Sequence, residues 1–176
     1  FSVEGPFANT AFLAPTIGPL EKGAPAARPW DRARRDVVVF LADTFRADNL
    51  AAYGGRDELA PFLNQLAARS RVFTHAWSTS TFTLPAHASL FTGLYPRQAG
   101  IVDSRSAVSR ELHTLAEFFA RHGYRTGAVT EKGFVSHQFA MDQGFQFFDE
   151  RRDGVTGTAE RARAFLEADD GRPVLL

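Results

Sequence analysis

The sequence predicts an α/β fold, a doubly wound, mostly parallel sheet with helices on both faces. Three observations carry this expectation. Segments with strand and helix character alternate along the chain. The run Asp36-Val37-Val38-Val39-Phe40-Leu41-Ala42 is apolar on both faces and ends in the carboxylate Asp43, as a buried parallel strand would. Thr83 to Gly93 carries both the start and the stop signals of a helix.

Taken in order, Phe1 to Arg35 is rich in Pro, Ala and Gly without periodicity, and reads as an extended lead-in or linker. Phe7, Phe12 and Leu13 are its candidates for packing on the body. After the strand Asp36–Ala42 comes a loop carrying Asp43, Thr44, Arg46 and Asp48, with a turn at Tyr53-Gly54-Gly55. Pro61 opens a helix to about Arg69, with Phe62, Leu63 and Leu66 at helical spacing. Arg71 to Trp77 alternates as a strand does. In the next helix Thr83 reads as N-cap, Pro85 lies in the first turn and Gly93 is the stop.

Thr114 and Glu117 form a capping box for a helix over Leu115 to His122, closed by Gly123. Tyr124 to Thr130 reads as a strand, and Thr158 as the cap of a helix from Ala159 to Ala168. Gly171 to Leu176 is a turn entering a buried strand that has barely begun. Residues 36–176 are therefore expected to be the N-terminal part of a longer, truncated domain, the rest of it missing.

Composition narrows the function classes. The chain has 176 residues, 44% hydrophobic and 23% charged, with zero formal net charge, as ordinary globular proteins have. No basic stripe points to nucleic acid. The absence of cysteine excludes disulfides, thiolate metal sites and a cysteine nucleophile. No apolar run approaches the roughly 20 residues of a membrane helix. A chain that starts at Phe1 is expected to have lost an upstream piece, and a periplasmic or secreted address follows if that piece was a signal peptide.

The helix at Thr83 carries the chemistry. A helix mouth favours anions, and His87, four residues on, shares a face with Thr83. Alone, the pair reads as a plain cap and a structural histidine. Asp43 at the carboxyl end of the first strand adds a group where ligands of open α/β sheets sit. A divalent cation at Asp43 would polarise an ester oxygen and activate the Thr83 hydroxyl, with Thr44 and Asp48 as further oxygen donors. His75, His113 and His122 read as structural, and His137 as the one that could face a site. Phe134, Phe139, Phe145, Phe147 and Phe148 read first as packing residues.

Four segments together carry a resemblance: Val38 to Asp48, Thr83 to Pro96, Gly123-Tyr124-Arg125-Thr126, and Asp142-Gln143-Gly144-Phe145. In order and interval they resemble the sulfatase family of the alkaline phosphatase superfamily, over about Asp36 to Asp149. The resemblance implies the N-terminal part of an α/β/α sandwich and a metal-dependent ester hydrolase or transferase.

It also implies roles: Thr83 as nucleophile, His87 as an oxyanion or metal-shell contact in place of an Arg, and Asp43, Thr44 and Thr83 as metal ligands. Lys132 falls near a family anion-binding Lys, with a solvated loop residue as the equal alternative, and His137 joins it as a substrate contact. Thr83 carries a methyl group on Cβ and cannot become formylglycine. Threonine nucleophiles occur in phosphodiesterase-like and phosphoethanolamine-transferase-like relatives, so phosphodiester chemistry is expected. The metal is calcium by likeness to sulfatases, zinc or manganese by likeness to those relatives. The expected substrate is a small-molecule, lipid or sugar ester. The replacements at Thr44 and His87 motivate an alternative, a catalytically silent module that binds an anionic ligand or partner.

Overall fold

The computed structural model describes residues 35–176, so the lead-in expected over 1–35 lies, apart from Arg35, outside the described residues. The chain divides into two compact units. Among the described residues one takes 35–39 together with Thr79–Leu176, and the other is Phe40–Ser78. The α-helices are α1 (Pro61–Ala67) in the smaller unit, and α2 (Thr83–Thr92), α3 (Leu115–Arg121) and α4 (Gly154–Glu167) in the larger. No helix of the described residues is long and apolar enough to cross a membrane.

The larger unit is built on a parallel sheet of β1 (Arg125–Val129), β2 (Phe147–Asp149) and β3 (Val174–Leu175), in the order β2-β1-β3. Gly127 stands opposite Phe147, Val129 opposite Asp149, and Arg125 opposite Val174. Parallel neighbours need long crossovers, and residues 130–146 and then α4 supply them. β2 is an element that sequence reasoning missed, its phenylalanines having been assigned to packing alone.

The first apolar run is parallel, as expected, but its pairing is short. Val37 bridges Leu175, and the Val39 N–H donates to the Leu176 carbonyl at 2.7 Å. Val38, Phe40 and Leu41 are exposed rather than buried. The expected buried strand over 36–42 is thus a single bridge.

Packing explains why two of the resembling segments lie where they do. The Thr114 hydroxyl accepts the Glu117 N–H at 3.1 Å while the Glu117 carboxylate accepts the Thr114 N–H at 2.9 Å, completing the expected capping box. The same Thr114 hydroxyl donates to the Gln143 carbonyl at 2.9 Å. Fully buried Thr126 on β1 donates to the Gly144 carbonyl at 2.9 Å. Gly144 has φ +88°, and a Cβ there would lie 2.4 Å from the Glu117 nitrogen. Only glycine lets this loop close on the cap of α3.

Helix α4 is anchored by side chains rather than by its own cap. It starts at Gly154, so Thr158 lies inside the helix instead of capping it. Glu131 takes over the start: its carboxylate accepts the Gly154 N–H at 3.3 Å and the Thr158 hydroxyl. Buried Arg161 pairs with Asp149 at 3.2 Å and with Asp153, tying α4 to the end of β2. Phe165 lies against Gly127, and the Arg125 guanidinium sits 4.3 Å over its ring.

In the smaller unit, Pro61 occupies the first turn of α1 as expected. Arg71 to Trp77 does not form the expected strand. Its polar groups bond to side chains: the Tyr53 hydroxyl donates to the Phe73 carbonyl at 2.8 Å, and Thr74 Oγ1 lies 2.9 Å from His75 Nδ1. Alternation without a ladder partner makes no strand.

A Cβ at Gly127 would stand 2.5 Å from the Phe165 ring. Gly127→Ala is expected to destabilise the protein by about 1–3 kcal/mol through overpacking. Thermal unfolding checks this, and Phe165→Leu should recover part of the loss in the double variant.

Candidate functional site

The helix that carries Thr83 is set by its opposite face. Leu84 and Ala88 have no exposed surface, and with Ile101, Val108, Phe139 and Met141 they form the core. Phe91, Leu94, Phe134 and Phe148 pack against that core. Ring contacts Phe91 to Phe145 at 5.7 Å and Phe145 to Phe148 at 6.0 Å extend the packing, so the phenylalanine run serves as core and loop filling.

Thr83 is the first residue of α2, with Phe82 in the cap position and no side-chain cap bond. The expected N-cap is therefore displaced by one residue. The reason is local: Phe82 is extended at φ −122°, ψ 140°, and its carbonyl already accepts the Ala86 N–H at 3.2 Å. Pro85 lies in the first turn as expected, where its missing N–H costs nothing. Gly93, at φ +70°, stops the helix. Thr83 thus sits at the positive end of a ten-residue helix.

His87 turns back onto that first turn. Its Nδ1 lies 2.8 Å from the Thr83 carbonyl. A carbonyl only accepts, so Nδ1 carries the proton and Nε2 is the acceptor of the neutral ring. The bond ties the imidazole to the residue whose hydroxyl sequence reasoning singled out. Both residues are half-buried.

In the smaller unit, Asp43 and Thr44 are exposed and form the centre of a turn closed by the Phe45 N–H on the Ala42 carbonyl at 3.3 Å. Thr44 has φ +59°. A β-branched side chain rarely enters the left-handed region, at a cost of about 1–3 kcal/mol, and such residues gather at functional sites. Asp48 is engaged by Arg46 Nε at 2.9 Å, which holds its carboxyl below the usual carboxylate range.

Lys132 and His137 come together on the larger unit, through Glu150. Lys132 Nζ lies 3.9 Å from Glu150 Oε1. The His137 backbone N–H donates to Glu150 Oε2 at 2.9 Å, and its ring Nδ1 lies 3.3 Å from the same oxygen. His137 Nε2 lies 3.9 Å from Asp142, which Arg110 holds at 2.8 Å. The His137 N–H, the His137 ring and Lys132 together keep the Glu150 carboxyl below its ordinary range. Sequence reasoning missed Glu150 as the junction. The charged run Asp149-Glu150-Arg151-Arg152-Asp153 directly after a phenylalanine-rich segment was the available signal.

The oxygen donors named from the sequence suit a hard cation. In the smaller unit Asp43 and Thr44 bring one carboxylate and one hydroxyl, with Asp48 engaged by Arg46, and in the larger unit Thr83 brings one hydroxyl, whereas calcium takes six to eight oxygens. Among the described residues no three His, Asp or Glu side chains are grouped to hold a metal ion. The described residues therefore do not complete a cation site.

A family model described as Sulfatase matches residues 35–167. Arylsulfatase K of Canis lupus familiaris is 26% identical over 170 residues, covering 96% of this chain and 29% of that protein. Arylsulfatase A of Homo sapiens is 32% identical over 114 residues, covering 61% and 22%. N-acetylgalactosamine-6-O-sulfatase of Bacteroides thetaiotaomicron is 29% identical over 99 residues, covering 53% and 19%. A protein solved in complex with its substrate D-glucosamine-2-N,6-O-disulfate matches with a TM-score of 0.70 at 18% identity, over 81% of this chain and 33% of that one. That likeness shows the α/β fold with its parallel sheet. The chain spans between about a fifth and a third of the length of these proteins.

Because its folded carboxyl is held below the unfolded value, Glu150 adds stability above the ordinary carboxylate range, lost as pH falls through the folded value. The thermal midpoints of wild type and Glu150→Gln should differ near neutral pH and converge in acid. A gap that persists unchanged into acid would contradict the assignment.

Proposed function

The chain belongs to the sulfatase family, and from that premise we propose that it carries the nucleophile-bearing part of a hydrolase of sulfate or phosphate esters, with Thr83 as the attacking group and phosphodiesters favoured. The observation that carries the reading is the first turn of α2. Thr83 stands at the positive helix end with the His87 ring bonded to its carbonyl. Negative charge gathering on an ester during attack is stabilised at a helix N-terminus.

In the proposed reaction the Thr83 oxygen attacks phosphorus or sulfur and the bond to the departing oxygen breaks. The hydroxyl proton ends on the leaving alcohol. A threonine ester remains, and water cleaves it at phosphorus or sulfur to regenerate Thr83. Thr83 carries one hydroxyl and a methyl group on Cβ, so its ester has no second hydroxyl through which to collapse to a carbonyl, and release must go through this second displacement. That requirement favours phosphodiesters, because phosphothreonine formation and hydrolysis is a two-step route that needs no modified residue.

His87 with a proton on both ring nitrogens donates from Nε2 to an ester oxygen, while Nδ1 keeps its bond to the Thr83 carbonyl. Lys132 and His137 are proposed as substrate contacts, joined at Glu150. A divalent cation, calcium, zinc or manganese, is proposed at Asp43 and Thr44. The left-handed backbone of Thr44 supports that placement, since strain is retained where a site demands it.

Full-length protein supplied with calcium, zinc or manganese should turn over an aryl phosphodiester faster than an aryl sulfate. Thr83→Ala should lower kcat by roughly 10⁴-fold or more, while Thr83→Ser retains part of the activity. Equal turnover by wild type and Thr83→Ala overturns the nucleophile assignment. No turnover of either ester by wild type favours the silent module.

Removing the cation with a chelator should abolish turnover, and Thr44→Asp should tighten cation binding in a calorimetric titration by restoring a second carboxylate. Unchanged binding in Thr44→Asp would remove Thr44 from the cation's surroundings.

A further inference from the structure

At the carboxyl ends of β1 and β2, in the larger unit, lies an open depression lined by Lys132, Phe148, Asp149, Glu150, Arg151 and Arg152. Ligands of parallel sheets bind beyond the carboxyl ends of the strands. The charges of the depression are unevenly matched. Asp149 is held by Arg151 Nε at 2.9 and 3.0 Å, and from beneath by buried Arg161 at 3.2 Å. Glu150 is taken by the His137 N–H at 2.9 Å and by Lys132 at 3.9 Å. Both carboxylates are therefore spent on cations or amides of the wall itself.

Arg152 is different. It is exposed on the rim, and among the described residues no carboxylate pairs with it. Three cations and two carboxylates line the depression, and the buried Arg161 behind Asp149 is matched by its second partner Asp153. The surplus is positive and sits at Arg152. A guanidinium presents a planar fork of donors that matches the oxygens of a sulfate, phosphate or carboxylate.

We propose that this depression, through Arg152, binds a second oxyanion of the substrate, so that the preferred ester carries at least one further anionic group beyond the one that reacts. The inference deepens the reading above and rests on it for the word substrate. Lys132 belongs to both parts: it is the proposed contact for the reacting group, and its tether to Glu150 places it on the wall shared with Arg152.

Sulfonates test this without turnover, because their carbon–sulfur bond is not an ester. Binding of a graded series of alkane-α,ω-disulfonates to the full-length protein is compared by calorimetry with alkane monosulfonates of matching length. One chain length is expected to bind about tenfold more tightly than its monosulfonate, and Arg152→Gln should reduce that ratio to near one. Arg152→Lys should keep part of it. If no disulfonate exceeds its monosulfonate, or if the preference survives Arg152→Gln, the proposal is overturned. Turnover of aryl esters by the same preparation separates the two readings. Turnover without the disulfonate preference removes only the second-anion site, and the preference without turnover removes only ester cleavage.

Discussion

Complete burial of Leu84 and Ala88 clamps α2 by one face, and that clamp decides what its other residues can reach. With those two side chains locked into a core of Ile101, Val108, Phe139 and Met141, the helix cannot rotate about its axis without opening a cavity. Thr83 and His87, one position before each, are therefore fixed as a pair. The hydrogen bond from the His87 ring to the Thr83 carbonyl completes the arrangement. Pro85 and Gly93 bound the helix, so the mouth at Thr83 is a defined place rather than a fraying end.

The remaining segments that resemble the sulfatase family hold the body together. Thr126 on β1 bonds to Gly144, Thr114 to Gln143, and Gly144 leaves room for the Glu117 amide. These contacts join the central strand, the cap of α3 and the loop before β2. Residues that recur as family wording thus include a structural set, whose function is to close the sheet, beside the set at α2. The proposed chemical set is where this chain departs from the pattern the resemblance implies: Thr83 is proposed at the nucleophile's place, His87 at the arginine's and Thr44 at a carboxylate's.

Local chemistry made much of this legible in the sequence. The capping box of Thr114 and Glu117, the Pro61 start of α1, the Gly93 stop and the central strand all depend on residues a few positions apart. Elements that depend on distant partners were harder to read. The apolar run after Asp36 looked like a full strand, but a strand needs a neighbour and the run is paired only at Val37 and Val39. Thr158 looked like a cap, but Glu131, from far along the chain, supplies that bond to Gly154. At the candidate site, Thr83 and His87 were readable as a helical pair. The meeting of Lys132 and His137 on Glu150 was not, because it joins the loop after β1 to the end of β2.

In the proposed reaction the Thr83 oxygen forms the covalent intermediate. The most direct measurement is rapid acid quench of full-length protein during turnover of an aryl phosphodiester, followed by peptide mass spectrometry. A phosphoryl ester is expected on the peptide spanning Thr83, localised to that residue. Turnover with no adduct on Thr83, or with the adduct on another side chain, would contradict it.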